Sequence, residues 1–395
     1  MAISNRPLSN NVGRVLLICN AYPSSSNLYR NGFIHRRVKG YQEKGLEVDV
    51  FYNHQPVAKA YTYEFDGVIV RVGNDEALEK LIQESSYGTY LVHFAEPTRI
   101  EPLRRSGVKE PVIVWIHGFE AEAWYRRWFN FIGSAEDIRA ALRKKTNYYN
   151  GQNSFLAGLM NDENLNISFV NVSDWFQKNI VEPDVRTEFK NSVTIPNLVD
   201  EKVFPYRKKD PALRKKILSI RPFASMKYAN DQSVSAILEL SKRPFFGDLK
   251  FTICGQGPLF DKTVAPLRKF KNVTLKNEFF TQEEISQLHA EHGVFLCPTR
   301  FDSQGVSMCE AVSSGLVAVT SNVAAIPEFI HHMETGLLAP PEDSLALADL
   351  IEILYFDEEL FENLSGTGSS WMAKNCGRSA TIGREIELIQ GRMSN

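Results

Sequence analysis

The chain is poor in cysteine, in long apolar runs and in net charge. Its five cysteines (Cys19, Cys254, Cys297, Cys309 and Cys376) are odd in number and form no Cys-x-x-Cys. Their places in or beside apolar runs argue for buried, reduced thiols. The apolar run nearest the amino terminus, Val15–Cys19, is too brief for a signal peptide or a bilayer span, so a reducing cytoplasm is the expected compartment. A net charge of -2 over 395 residues supplies no global attraction to nucleic acid or to anionic membrane. Internal repeats and low-complexity segments are missing. So is the Gly-x-Gly-x-x-Gly fingerprint of dinucleotide enzymes. The first apolar run leads into Asn20-Ala-Tyr-Pro-Ser-Ser-Ser with no glycine before Gly32, and Gly255-Gln-Gly257 has Phe260 at the third glycine position.

What is present is an alternation. Short apolar runs of strand length recur between helix-like stretches: Val15–Cys19, Glu47–Tyr52, Val68–Val72, Tyr90–Phe94, Val112–Ile116, Ile167–Val170 and Val193–Ile195. A second series follows at Ile217–Ile220, Lys250–Cys254, Val273–Lys276, Val294–Cys297 and Val317–Thr320. Runs apolar throughout suit strands covered on both faces, hence parallel sheets flanked by helices. Two series predict an α/β protein of two Rossmann-like, doubly wound domains, with the polar stretch Asp200–Lys216 as linker. Ligands of such sheets bind beyond the carboxyl ends of the strands.

Three segments at those ends carry chemistry. After Val294–Cys297 comes a loop with Asp302, then Gly305, then a helix containing Glu310. A helix start exposes unpaired amides and the positive pole of the helix dipole, which suits a diphosphate. Carboxylates on either side suit hydroxyl groups, and hydroxyls flanking a diphosphate describe a nucleotide sugar. Ser219-Ile-Arg-Pro-Phe-Ala-Ser-Met-Lys227 follows the first run of the second series and offers Arg221 and Lys227 as cations for that diphosphate. Val112–Ile116 runs into His117-Gly118-Phe-Glu120. His93 also follows a strand but lacks these neighbours.

These segments resemble those of retaining GT-B glycosyltransferases, specifically glycosyltransferase family 4. Asp302 to Glu310 is similar to the family's Glu-x-Phe-Gly-x-x-x-x-Glu, with Asp for the first acid and Gln304 at the Phe position. The Arg221–Lys227 segment resembles Gly-Arg-x-x-x-x-Lys-Gly, one residue longer and without the glycines. His117-Gly118-Phe-Glu120 resembles His-Gly-x-(Asp/Glu), and Ile195-Pro-Asn-Leu-Val-Asp resembles the entry to the linker. Gly255-Gln-Gly257-Pro resembles the strand-end glycine turn, Val172-Ser-Asp174 a first-domain segment, and Ile326-Pro-Glu-Phe-Ile330 with Glu334-Thr-Gly-Leu-Leu338 the late carboxyl-domain pattern. A Gly-Gly turn after the first strand, common among relatives, is replaced by Tyr22–Gly32.

The resemblance implies a GT-B fold, with domains at 1–200 (acceptor side) and 201–370 (nucleotide-sugar side) facing a central cleft, and a last stretch, 371–395, crossing back to the first domain. It implies a metal-independent, retaining transferase. Such an enzyme moves a hexose-type sugar from a nucleotide-sugar donor to a saccharide or lipid-linked saccharide in cell-surface polysaccharide synthesis. Under it, His117, Arg221, Lys227, Asp302 and Glu310 are catalytic, with Glu310 on the donor ribose. Gly257, Ser303, Gln304, Gly305, Val306 and Ser307 bind donor. No metal or cofactor is called for, the diphosphate charge being met by protein groups, and the chain contains no Asp-x-Asp triplet. Two alternatives stay open: a nucleotide-sugar epimerase of the same fold, and a non-catalytic nucleotide-sugar-binding subunit.

The acceptor side is less defined. Trp124, Trp128 and Phe131 recur near helical spacing with Arg126 and Arg127 between them, and Arg99–Lys145 carries 10 Lys and Arg against 6 Asp and Glu. The stripe is either an interface to a lipid-borne acceptor at the inner face of the membrane or a packed core face.

Overall fold

The computed structural model describes residues 14–25, 27, 28, 30–57 and 59–391. Ser26 and Tyr29 of the Tyr22–Gly32 loop, and the last residues of the 371–395 stretch, lie outside the described residues. The chain divides into two compact units. One comprises 1–124, 143–198 and 381–395, the other 125–142 and 199–380.

The first unit is built on an eight-stranded sheet of order β3-β4-β2-β1-β5-β6-β7-β8. Its strands are β1 (Val15–Cys19), β2 (Val48–Asn53), β3 (Tyr61–Phe65), β4 (Val68–Gly73), β5 (Thr89–His93), β6 (Val112–Ile116), β7 (Ile167–Asn171) and β8 (Ser192–Thr194). All neighbours are parallel except β3 and β4, which pair antiparallel through a tight turn at Asp66 and Gly67. β1, β5 and β6 are buried along their whole length, as expected of strands covered on both faces. The edge strand β3 is the exception, half exposed, with alternating polar residues.

The chain's last segment closes this core. Ile382, Ile386 and Ile389 pack into it, and Gly40 leaves the space that Ile382 fills, 3.0 Å from where a Cβ would stand. Glu385, fully buried, receives Arg37 Nε at 2.9 Å, the Tyr41 hydroxyl at 2.7 Å and Trp115 Nε1 at 3.2 Å. With three donors on one carboxylate the buried charge is well met. Removing one member of such a pair costs about 3–5 kcal/mol.

The second unit holds a six-stranded, all-parallel sheet of order β11-β10-β9-β12-β13-β14. Its strands are β9 (Lys216–Ile220), β10 (Lys250–Cys254), β11 (Val273–Lys276), β12 (Val294–Leu296), β13 (Val317–Ser321) and β14 (Leu337–Ala339). Helices Asn230–Leu240, Ser344–Phe356 and Glu358–Cys376 bury Ile237, Leu240, Ile351, Leu354, Phe361 and their neighbours against it. The direction of winding reverses between β9 and β12, so their carboxyl ends diverge into a crevice. All five cysteines are buried and unpaired.

Candidate active site

The loops leaving β9 and β12 meet at this reversal. β9 is followed by Arg221, buried, whose Nη1 donates to the Ser307 hydroxyl at 2.9 Å. Its Nη2 lies 3.8 Å from Asp302 Oδ2, and Lys227 Nζ lies 3.9 Å from Asp302 Oδ1. Both cations flank the Tyr228 ring, at 5.0 and 5.6 Å. Arg221 Nε is buried with no hydrogen-bond partner among the described residues. A buried donor left unused is costly unless a ligand satisfies it.

Asp302 feels opposing influences. Burial, the largest, pushes its carboxyl up. Lys227, Arg221 and the Gly305 and Gln304 amides together outweigh it and hold the carboxyl below the usual range. It is ionised at neutral pH. Gly305 adopts the left-handed conformation (φ 77°, ψ 52°) and starts the helix Val306–Ser313. A side chain there would stand 3.0 Å from Ile326 Cδ1, so both the backbone angle and the space call for glycine. Glu310 lies a turn further along and is nearly buried, as is Gln304. Ser303, Val306 and Ser307 are part-exposed at the mouth of the loop.

Gly257 and its neighbour Gly255 act at one remove. Their φ values are +150° and +146°, and a Cβ on either would fall within 2.5 Å of backbone atoms of the 221–224 loop. That closeness lets Arg221 N donate to Cys254 O (3.1 Å) and Phe223 N to Gln256 O (2.9 Å). These glycines shape the loop that aims Arg221.

Arg300 is a residue the sequence did not single out. It pairs with both oxygens of Asp231 (2.8 and 2.7 Å), reaches Glu342 Oε1 at 2.7 Å and donates to the Met226 carbonyl at 2.8 Å, while its amide donates to Lys227 O. It thus fastens the Lys227 turn to the loop that carries Asp302. No local pattern marks it, because its partners are distant in the chain.

In the first unit His117 follows β6, and His93 ends the adjacent β5. His93 Nδ1 and His117 Nε2 are 2.9 Å apart, and His93 stacks on Trp115 at 4.7 Å. Burial, with Arg37 nearby, holds both imidazoles well below their ordinary pKa, so both are neutral. Glu120, fully buried, accepts from the His117 and Gly118 amides at 2.6 and 3.0 Å. Burial pushes its carboxyl up to about 7, against the lowering effect of those amides. Phe94, next to His93, holds a left-handed φ of 61° and packs its ring 4.6 Å from His117. The sequence favoured His117 alone. The structure makes His93 its hydrogen-bond partner, a pairing visible only once β5 and β6 are known to be adjacent.

The aromatic stripe is not one helix. Residues Trp124–Asn130 form 3-10 turns broken at Arg127 (φ -100°, ψ 39°). Phe129 is buried and Trp128 half exposed, while Trp124 is partly covered, with Lys145 Nζ 5.7 Å from its ring. Arg126 lies over the Tyr125 ring at 5.4 Å. Of the three stripe residues, Trp124 and Phe131 are partly covered and Trp128 is exposed. A helix that the sequence reading did not mark, Ala135–Lys144, follows it.

Residues 214–357 match the family described as Glycosyl transferases group 1. The chain is 28% identical over 188 residues to N-acetyl-alpha-D-glucosaminyl L-malate synthase from Bacillus anthracis, covering 44% of this chain and 47% of that protein. It thus spans less than half the length of this curated relative. Sucrose-phosphate synthase from Thermosynechococcus elongatus superposes with a TM-score of 0.73 at 14% identity, over 96% of this chain and 98% of the other. HepE from Anabaena, in complex with UDP and glucose, superposes with a TM-score of 0.62 at 12% identity, over 96% and 100%. The identities with these structures carry the fold alone. Two parallel-sheet units give the chain the GT-B fold, and its residues 214–357 are similar to the group 1 glycosyl transferases.

Proposed function

We propose that the chain is a family 4 glycosyltransferase that moves a hexose-type sugar, with retention and without a metal, from a nucleotide sugar to a saccharide or lipid-linked saccharide. The observation that carries this is the Arg221–Asp302–Lys227 cluster at the winding reversal of the second unit, with a buried Arg221 Nε that has no partner among the described residues. An arriving diphosphate offers oxygens to Arg221, Lys227 and the amides of Val306 and Ser307. Asp302 accepts hydrogen bonds from the sugar hydroxyls, the amides of Ser303 to Gly305 donate to the sugar oxygens, and Glu310 accepts from the ribose hydroxyls. As the glycosidic bond to the diphosphate breaks, negative charge grows on the leaving oxygens. Fixed cations and amides stabilise it there without reorganisation. For the first unit we propose an acceptor-side role in which His117 offers a neutral imidazole rather than a second positive charge. Cell-surface polysaccharide synthesis at the inner face of the membrane is the setting that best fits such an acceptor.

The relative's name and the UDP in the HepE complex make UDP-N-acetylglucosamine the first donor to test. Purified chain is screened against several nucleotide sugars by thermal shift, since a ligand bound only by the folded state raises the melting temperature by mass action. Release of nucleoside diphosphate is then followed with and without acceptor glycans, and the product's anomeric configuration is read by NMR. Release that needs an acceptor, giving a retained anomer, supports the reading. Sugar isomerisation without an acceptor would instead make the chain an epimerase, and donor binding with neither transfer nor hydrolysis would make it a binding subunit.

A further inference from the structure

Two histidines of the first unit share one hydrogen bond, and the bond leaves a proton to be placed. His93, wholly buried at the end of β5, sets its Nδ1 2.9 Å from His117 Nε2. The ring planes differ by 15° and the centroids are 5.2 Å apart, so each nitrogen points almost straight at the other. That is the in-plane geometry of a well-formed bond. Aromatic neighbours hold both rings in place. His93 stacks on Trp115 at 4.7 Å, and His117 meets the rings of Phe33 at 5.0 Å and Phe94 at 4.6 Å.

Burial, with the Arg37 charge nearby, keeps both imidazoles neutral, so each ring carries a single proton. A neutral imidazole has one N–H and one bare nitrogen, so one of the two rings must donate. Were His117 the donor, His93 would accept at Nδ1 and carry its own proton on Nε2. That nitrogen is buried with no hydrogen-bond partner among the described residues. An N–H stranded there would forfeit its bond to water and gain nothing in return, and orphaned buried N–H groups are rarer than orphaned acceptors. With His93 as the donor, its Nε2 is a bare nitrogen and no N–H is stranded. The proton of His117 then sits on Nδ1, and its Nε2 is spent on accepting from His93.

We propose that His93 is a positioning residue that fixes His117 as the Nδ1–H tautomer, so that His117 meets a saccharide as a hydrogen-bond donor and never as a base. Its Nδ1 already carries a proton and its Nε2 lone pair is engaged by His93. Neither nitrogen is left to take a proton from an acceptor hydroxyl. His117 can orient such a hydroxyl but cannot deprotonate it. This rests on the acceptor-side role proposed for His117 only for its purpose. The tautomer is read on the free protein, so its failure leaves the transfer reading standing.

The test is ring-nitrogen NMR on the full chain with isotope-labelled histidine, without substrate. His117 is assigned by its absence from the His117→Gln spectrum. The parent should show His93 and His117 each with its proton on Nδ1, and neither ring should titrate between about pH 5 and 8. His93→Leu removes the donor, and His117 should then exchange between its two tautomers. His93→Asn puts an amide N–H near the place of Nδ1 and should restore the single Nδ1–H form. With a working acceptor, kcat should fall by up to about 100-fold in His93→Leu and recover in His93→Asn, while the thermal response to nucleotide stays that of the parent. A parent spectrum with the His117 proton on Nε2 would overturn the proposal, and that result needs no variant to fold. So would a folded His93→Leu protein whose His117 keeps the single Nδ1–H form or whose turnover matches the parent's, because another group would then be setting the ring.

Discussion

Replacing Gly255 by alanine tests the architecture of the site without touching any group that would contact a ligand. An added Cβ would stand 1.9 Å from the Arg221 carbonyl oxygen and 3.0 Å from Phe223 Cδ2, at a φ of +146° that side chains avoid. To go from 1.9 Å to the 3.4 Å of ordinary contact, the Arg221 backbone must retreat by about 1.5 Å. Two bonds oppose that retreat, Arg221 N to Cys254 O and Phe223 N to Gln256 O. Backbone strain of about 1–3 kcal/mol and about 1 kcal/mol for each bond lost sum to roughly 2–5 kcal/mol. For a unit of this size that lowers the melting temperature by roughly 5–15 °C. If the unit instead yields and keeps its fold, Arg221 moves off its target. A displacement of about 1 Å is enough to cost on the order of 100-fold in turnover. Differential scanning calorimetry and calorimetric titration with a panel of nucleoside diphosphates separate the two outcomes. Gly366→Ala is the control, since that helical position has only the Tyr206 hydroxyl, 3.8 Å away, and alanine there should stabilise by about 0.5–1 kcal/mol. A Gly255→Ala protein that melts and binds like the parent would falsify the role assigned to this glycine turn.

Glu310→Ala should weaken nucleotide binding by about 1.5–3 kcal/mol, roughly 10- to 100-fold, with little change in melting temperature; equal affinity in titration would remove the ribose assignment. Lys227→Ala should lower kcat more than it raises KM, because the charge it meets grows in the transition state, and the parent's activity should survive excess chelator. Loss of activity to chelator, restored by magnesium or manganese, would transfer that role to a metal. In the first unit, Glu120 holds its proton up to about 7 when folded, against 4.5 for the free side chain. The folded state therefore binds more protons in that window, and stability should fall as pH rises from about 4.5 to 7, by on the order of 3 kcal/mol. Glu120→Gln should flatten that slope in denaturant titrations across the window, and an unchanged slope would assign the pH dependence elsewhere.

The strands that could be read from the sequence are those whose burial is local and complete. β1 and β6 are apolar throughout, and β5, β10 and β13 largely so, because helices or chain cover both faces. β3 escaped because it is a half-exposed edge with alternating polar residues, and β14 because three residues make no pattern. The same division runs through the site. Asp302, Gly305, Arg221 and Lys227 lie at strand ends, where backbone conformation and unpaired charge can be inferred locally. Arg300 could not be inferred, since its bonds to Asp231 and Glu342 span 69 and 42 residues. His93 was seen and set aside because its meaning depends on which strand lies beside β5. The helical spacing of the aromatic stripe is broken in the structure. Helical spacing assumes unbroken helical angles, and Arg127 departs from them, so Phe129 turns inward while Trp128 stays out. Apart from the short β14 and the local break at Arg127, what escaped is a side chain whose environment is supplied by a distant segment. The glycines are the instructive exception. Gly255 and Gly257 record in local sequence how near a distant loop must come, because no other residue leaves room for the 221–224 backbone. A strand-end glycine pair is thus a readable trace of a tertiary contact, and here that contact aims the buried arginine on which the proposed diphosphate site depends.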